Sequence, residues 1–249
     1  MFLHGNFGRS YSGNRSISDE IKSRLPISAR LALLAILIDF LVGTPIGIIS
    51  AVKRYSALDN ILMLLALFMV SMPGFWIGLE LSIIFALKLR LLPASGLYGP
   101  QYYILPVISI ALGGVSAAAR MTRSCMLDVI GSDYMVTARA KGVSEKIIIL
   151  KHGLKNALIP IITQIGGAAA GMIGGAMITE IVFSIPGMGT YMTNAIQSRD
   201  YPVVLGCVVV LSFLACIILL ITDLAYAFVD PRIRAQFGGG KKKSKKEDA

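Results

Sequence analysis

The length of its apolar runs constrains this chain more than any other feature. Five stretches, 27–52, 58–87, 102–121, 157–183 and 203–229, are dominated by Leu, Ile, Val, Ala, Phe and Met. Each supplies the roughly 20 residues that a helix needs to cross a bilayer, about twice the length of a barrel strand. Lipid offers no partner to an unpaired backbone group, so all five predict helices. The third run is the weakest. Composition agrees: 15% of residues are charged, against about 25% in a soluble domain. The expected fold is all-α, a polytopic membrane helix bundle of about five transmembrane helices.

The net charge of +10 would suggest nucleic acid on a soluble protein. Here the cations sit between and beyond the apolar runs, with no basic aromatic surface, which argues against a nucleic-acid partner. Sixteen Lys and Arg fall at 53–54, 120–155 and 232–246, and eight fall at 9–30, 88–90 and 199. The richer side is expected in the cytoplasm. That puts the 122–156 link and the C-terminus inside and residues 1–26 outside. A polar N-terminal segment then crosses with no preceding signal, so the chain is expected to begin late, after a missing first span. A five-span protein with its N-terminus outside is the alternative. The expected organisation is an extracytoplasmic segment at 1–26, a membrane domain at 27–231, and a flexible basic tail at 232–249 able to touch anionic lipid.

The runs are not uniform. Gly43, Thr44, Pro45 and Gly47 are expected to interrupt the first, and Pro73 with Gly74 the second, because proline removes a helix hydrogen bond. Gly167, Gly171 and Gly175 recur every four residues, on one helix face, where a second backbone can approach closely. That backbone belongs either to this chain or to a second subunit. Asp39, Glu80, Glu180 and Asp223 are acids inside apolar runs, where charge is costly. Glu180 and Asp223 are the candidates for a translocation path. Cys125, Cys207 and Cys216 form no CxxC pair, and no disulfide framework is expected.

The link from 131 to 160 is far longer than a membrane turn requires. Tyr134 to Lys141 favours a short helix, which Ser132 or Asp133 can cap. Gly142 permits the left-handed turn that ends a helix. Ser144 can cap a second helix, with Glu145 in its first turn and Ile147 to Leu150 as its apolar face. Ala138 and Ala140 keep one part small enough for a groove to close over it, and Arg139 and Lys141 supply charge there.

This link resembles a known family. Ala138-Arg-Ala-Lys-Gly142, followed by His152, Asn156 and Pro160, is similar to the cytoplasmic "EAA" loop of bacterial ABC-importer permeases, with Thr137 where the loop usually has Glu. Four other pieces match in order: Gly5-Asn-Phe-Gly-Arg-Ser10, Leu92-Pro-Ala-Ser-Gly96, Glu180-Ile-Val-Phe-Ser-Ile-Pro-Gly187-Met-Gly189 and Asp230-Pro-Arg232. Together they resemble the first permease of the oligopeptide, dipeptide and nickel branch, over about residues 5 to 234. The resemblance implies a type I ABC-importer permease fold with a cytoplasmic coupling helix. Asp133, Thr137, Ala138, Arg139, Ala140, Gly142, His152, Asn156 and Pro160 would contact or position an ATPase.

The implied partners are a second homologous permease, two ABC ATPases, an extracytoplasmic substrate-binding protein and lipid. No cofactor is expected on this chain, because Gly238-Gly-Gly-Lys-Lys-Lys-Ser fails the phosphate-loop spacing. ATP and magnesium would lie on the ATPase, so the chain is not itself an enzyme. Its cargo would be a peptide, nickel or another small solute. Two rivals remain. An ion-coupled secondary transporter would use the four membrane acids, and a membrane-embedded hydrolase would need Ser95 or Ser184 beside a histidine. His4 and His152, expected on opposite faces, are badly placed for the latter and for a shared metal.

Overall fold

The computed structural model describes residues 7–229, without the side chains of 152, 173–175 and 226–229. His4, the start of the Gly5–Ser10 motif, the Asp230-Pro-Arg232 motif and the basic tail lie outside the described residues. Regular structure among those described is helical, apart from one isolated antiparallel bridge between Arg9 and Ser16.

Helix α1 runs from Ile17 to Val52. Ser16 caps it by accepting from the Asp19 amide, and Asp19 and Glu20 in the first turn complement its dipole. It therefore begins well before residue 27. The expected interruption at Gly43 to Gly47 is only local and does not end the helix. Asp39–Gly43 forms a π-helical bulge and the helix continues through Pro45. The glycines also serve a close crossing. A Cβ on Gly43 would lie 2.8 Å from the Val115 carbonyl oxygen, and one on Gly47 would lie 2.5 Å from that of Ala119.

The second run does break. Helices α2 (Ala57–Ser71) and α3 (Gly74–Lys88) meet at 98°. Met72 is extended, as a residue before proline prefers, and Pro73 brings no amide to carry the helix on. Helix α4, Ile104–Ile130, follows a short 3₁₀ turn at Pro100–Tyr103. It extends past residue 121, where the apolar run fades, because Ala117 to Ala119 and the residues beyond retain good helix propensity. It forms the hub of the fold, touching α1, α2, α3 and α6. The remaining helices are α5 (Asp133–Ala140), α6 (Leu154–Val182), α7 (Met188–Gln197) and α8 (Tyr201–Val229).

Three apolar clusters lie along α1. Ile17 and Ile21 pack with Met188, Ala195, Val203 and Cys207 from α7 and α8. Leu31 and Ala35 pack with Leu105, Ala111 and Phe183. Ala51 packs with Met126, Ala157 and Ile161. Helix α8 adds little to this core: 11% of its most apolar window is buried. Such a surface faces lipid or another subunit. Its tight contact with α6 is at Gly166, where a Cβ would lie 2.1 Å from Thr222 Cγ2. All three cysteines are free.

Candidate functional site: the surface elbow and the cavity behind it

The 131–160 link folds as an elbow. Helix α5 spans Asp133–Ala140, with Ser132 in the cap position but its hydroxyl donated to the Val129 carbonyl, so the expected side-chain cap is not made. Gly142 turns the chain at φ +75°, with open space around its Cβ position. The next segment begins at Glu145, passes through a π-helical stretch at Ile148–Gly153, and enters α6 without a break. The second helix is thus the foot of a membrane helix. Arg139 closes the turn with a two-pronged bond to Glu145, Nε at 3.1 Å and Nη2 at 2.8 Å. The pair is exposed and energetically weak; its effect is to set the angle.

The elbow is pinned from behind and open in front. Met135 is fully buried, and its methyl and that of Met126 both lie against Gly153, 3.3 and 3.4 Å from where a Cβ would stand. Asn156 donates to the Tyr134 hydroxyl at 3.0 Å. Asp133, Thr137, Arg139, Ala140, Lys141 and Gly142 are exposed, and Ala138 is half-buried. Pro160 lies within α6, and the side chain of His152 is outside the described residues.

A clamp absent from the sequence reading sits nearby. Asp59, 1% exposed, accepts from Arg123 Nε at 2.7 Å and Nη2 at 2.8 Å. It also accepts from the Ser50 hydroxyl and from the Tyr55 amide at 2.9 Å. The pair locks the α1–α2 corner to the last two turns of α4, just before the elbow. The signal was Ser56-x-x-Asp59, a helix-start pattern placing an acid at the edge of an apolar run opposite an unassigned arginine.

A cavity of about 540 Å³ opens at the α2–α3 break, lined by Pro73, Gly74, Ser109, Gly113, Gly171 and Thr179 among others. Gly167 and Gly171 are exposed, with nothing near their Cβ positions. Their edge of α6 is therefore not used for packing among the described residues; Gly175 has no described side-chain environment.

Glu180 does not line this cavity. It is 1% exposed and caps α7. Its Oε2 accepts from the Gly189 amide at 2.8 Å and the Thr190 amide at 3.1 Å, and its Oε1 accepts from the Ser28 hydroxyl at 2.5 Å. Ser28 in turn accepts from the Met188 amide. Two of the sequence motifs also meet here, since the Gly96 amide donates to the Phe183 carbonyl at 3.0 Å. Asp223 is exposed on α8, away from Glu180, and Glu80 is half-buried. Asp39 is buried against Gly114, with its Oδ1 unpaired. No group of His, Cys, Asp and Glu among the described residues forms a metal site.

Comparison with known proteins agrees with this architecture. The dipeptide transport system permease protein DppB of Bacillus subtilis (strain 168) is 41% identical over 219 residues, covering 88% of this chain and 71% of that protein. The glutathione transport system permease protein GsiC of Salmonella choleraesuis (strain SC-B67) is 40% identical over 232 residues, covering 93% and 76%. Among solved structures, an inward-facing form of the MetNI methionine ABC transporter shares the fold with a TM-score of 0.74 at 16% identity, over 85% of this chain and 96% of that one. Residues 43–235 match the family described as binding-protein-dependent transport system inner membrane component. The ion-coupled carrier is thereby set aside: the chain belongs to this family and is a transmembrane permease subunit of an ABC importer.

Proposed function

We propose that this chain forms half of a translocation pathway for peptides, completed by a second homologous permease and loaded by an extracytoplasmic binding protein. Two ABC ATPases bind and hydrolyse ATP with magnesium on the cytoplasmic side, and this chain carries no catalytic residue for that step. The cargo class follows the dipeptide, glutathione and peptide permeases among its relatives. The elbow faces the cytoplasm, in keeping with its cations, and residues 7–16 lie outside.

The observation that carries this reading is the elbow: exposed polar and small residues on one side, a buried Met135 on the other, and a set angle between. Such an element suits docking in a groove of the ATPase. Closure of the two ATPases shifts the elbow, and the membrane helices exchange between two states whose populations nucleotide and cargo bias. The open Gly167–Gly171 edge and the Pro73 cavity suit the path between the two permeases, whereas Glu180 holds α7 in place beside it.

Replacing Gly142 with Val tests the reading. A β-branched residue at positive φ costs about 1–3 kcal/mol, and the open space at Gly142 excludes a steric clash with the core. Insertion and assembly are expected to persist, while ATP-dependent peptide uptake in proteoliposomes falls at least tenfold. Undiminished uptake, or an elbow that never crosslinks to an ATPase in the intact complex, overturns the proposal.

A further inference from the structure

Two surface grooves, one between α1 and the 97–103 segment and one between α1 and the start of α4, run into one another, sharing Leu34, Pro100 and Tyr103. The first, about 650 Å³, has Arg30 and Tyr98 at its mouth. The second, about 460 Å³, is apolar apart from Tyr103 and ends at Leu41 and Val42. Arg30 is exposed and has no ion-pair partner among the described residues. The ring of Tyr98 is held edge-on to Tyr102 at 5.5 Å.

The depth of this groove is set by α1 itself. At about 1.5 Å per residue, the helix from Arg30 to Lys53 measures about 34 Å, close to the roughly 30 Å hydrocarbon core. These two cations therefore mark the two headgroup levels, and Val42 falls near the midplane. From Arg30 to Val42 the groove descends about 18 Å, roughly one leaflet. It carries a cation and tyrosines at the interface, where amphipathic rings settle, and only apolar walls below.

We propose that this groove is a binding site for one anionic phospholipid. An acyl chain lies against Leu34, Leu37, Leu41 and Ile104, and the phosphate is held by the Arg30 guanidinium together with the Tyr98 and Tyr103 hydroxyls. Arg30 is the uncompensated charge at the mouth, so a headgroup with net negative charge complements it better than a zwitterionic one. One arginine at a lipid surface gives about a fivefold preference. The site needs only that the chain spans a bilayer. Its assignment to the outer leaflet alone rests on the orientation proposed above.

The test uses the assembled importer, reconstituted in vesicles of equimolar phosphatidylcholine and phosphatidylglycerol and re-extracted in mild detergent. Phospholipid retained per complex is then counted by mass spectrometry. Wild type is expected to hold phosphatidylglycerol about fivefold over phosphatidylcholine. Arg30→Gln should abolish that preference, Arg30→Lys should keep most of it, and Leu37→Trp, which fills the apolar half, should release both lipids. A photoreactive side chain at 37 should label acyl chains. The proposal is overturned by equal retention of the two lipids in wild type, by an unchanged preference in Arg30→Gln, or by labelling of the second permease instead of lipid. Uptake lost through the Gly142 substitution with lipid retention intact bears on the elbow alone, so the two readings fail separately.

Discussion

Glu180 has both carboxylate oxygens committed, to Ser28 on α1 and to two amides that open α7. Gly187 lies over the same carboxylate, where a Cβ would sit 2.3 Å from Glu180 Cδ. Removing the acceptor leaves buried donors unsatisfied, at about 1–3 kcal/mol. Glu180→Ala and Gly187→Ala are each expected to lower the unfolding midpoint in detergent by several degrees, and Glu180→Gln, which keeps an acceptor, by less. Scanning fluorimetry of the purified complex measures this; an unshifted midpoint in Glu180→Ala refutes the capping role. The sequence singled out Glu180 because an acid at that depth is costly. It did not disclose the role, because the amides it serves lie beyond the turn through Ser184 and Pro186. The left-handed turn at Gly142 was legible: a glycine between two helix-forming segments has few other uses, and its φ of +75° matches that reading.

Among elements, the α1–α2 corner depends on the Asp59–Arg123 clamp. Breaking a buried pair on one side costs about 3–5 kcal/mol, because the remaining charge loses its partner, whereas replacing both by apolar residues costs far less. Asp59→Ala is expected to abolish stable insertion, and Asp59→Leu with Arg123→Met to recover most of it, scored by the yield of folded complex from membranes. A double variant no better than the single would show that the charges themselves are needed. A second contrast concerns neighbouring glycines. Gly166→Val forces α6 away from Thr222, while Gly167→Ala meets open space within the chain. The first should lower folded yield and the second should not. Apolar run length located the membrane helices but neither the ends of α1 and α4 nor α7, and Pro73 located the break. Gly43 and Gly47 were read only as an interruption, because glycine both breaks helices and lets them touch, and the touching shows only once the carbonyls of α4 stand opposite. The four-residue glycine repeat left open whether its partner lies in this chain or in a second subunit; within the chain the close contact with Thr222 is made by Gly166.

Over the whole molecule, the first described residues are strapped to the turn between α7 and α8. Ser10 Oγ donates to Asp200 at 2.5 Å, and the amides of Tyr11 and Ser12 each donate at 3.2 Å. Burial pushes the Asp200 carboxyl up, but the Ser10 hydroxyl and the amides of Tyr11, Ser12 and Val203 outweigh it and hold the group below its ordinary value. A depressed folded value means that the strap contributes fully above the unfolded aspartate value of about 3.9 and is lost as pH falls through the folded one. A nitroxide at position 12, in a chain cleared of native cysteines, should stay immobile from pH 8 to pH 5 and loosen only in stronger acid. In Asp200→Ala, which keeps no acceptor, it should be mobile throughout; equal mobility in both chains would dissolve the strap. Asp200 carried no sequence signal, since nothing in 7–16 announces a contact nearly two hundred residues away. The order of the motifs, by contrast, was legible end to end, and the fold joins two of them where Gly96 meets Phe183.

The elbow is attached unequally to the two membrane helices it joins. Toward α4 it hangs from a non-helical joint at Gly131 and Ser132, whereas toward α6 the backbone winds on helically from Glu145. A joint of that kind passes tension but little torque, while a continuous helix passes both. Rotation that the proposed docking imposes beyond the Gly142 turn would therefore travel along α6 as far as Met172, where that helix bends by 49°, with α4 as the tethered post against which it turns.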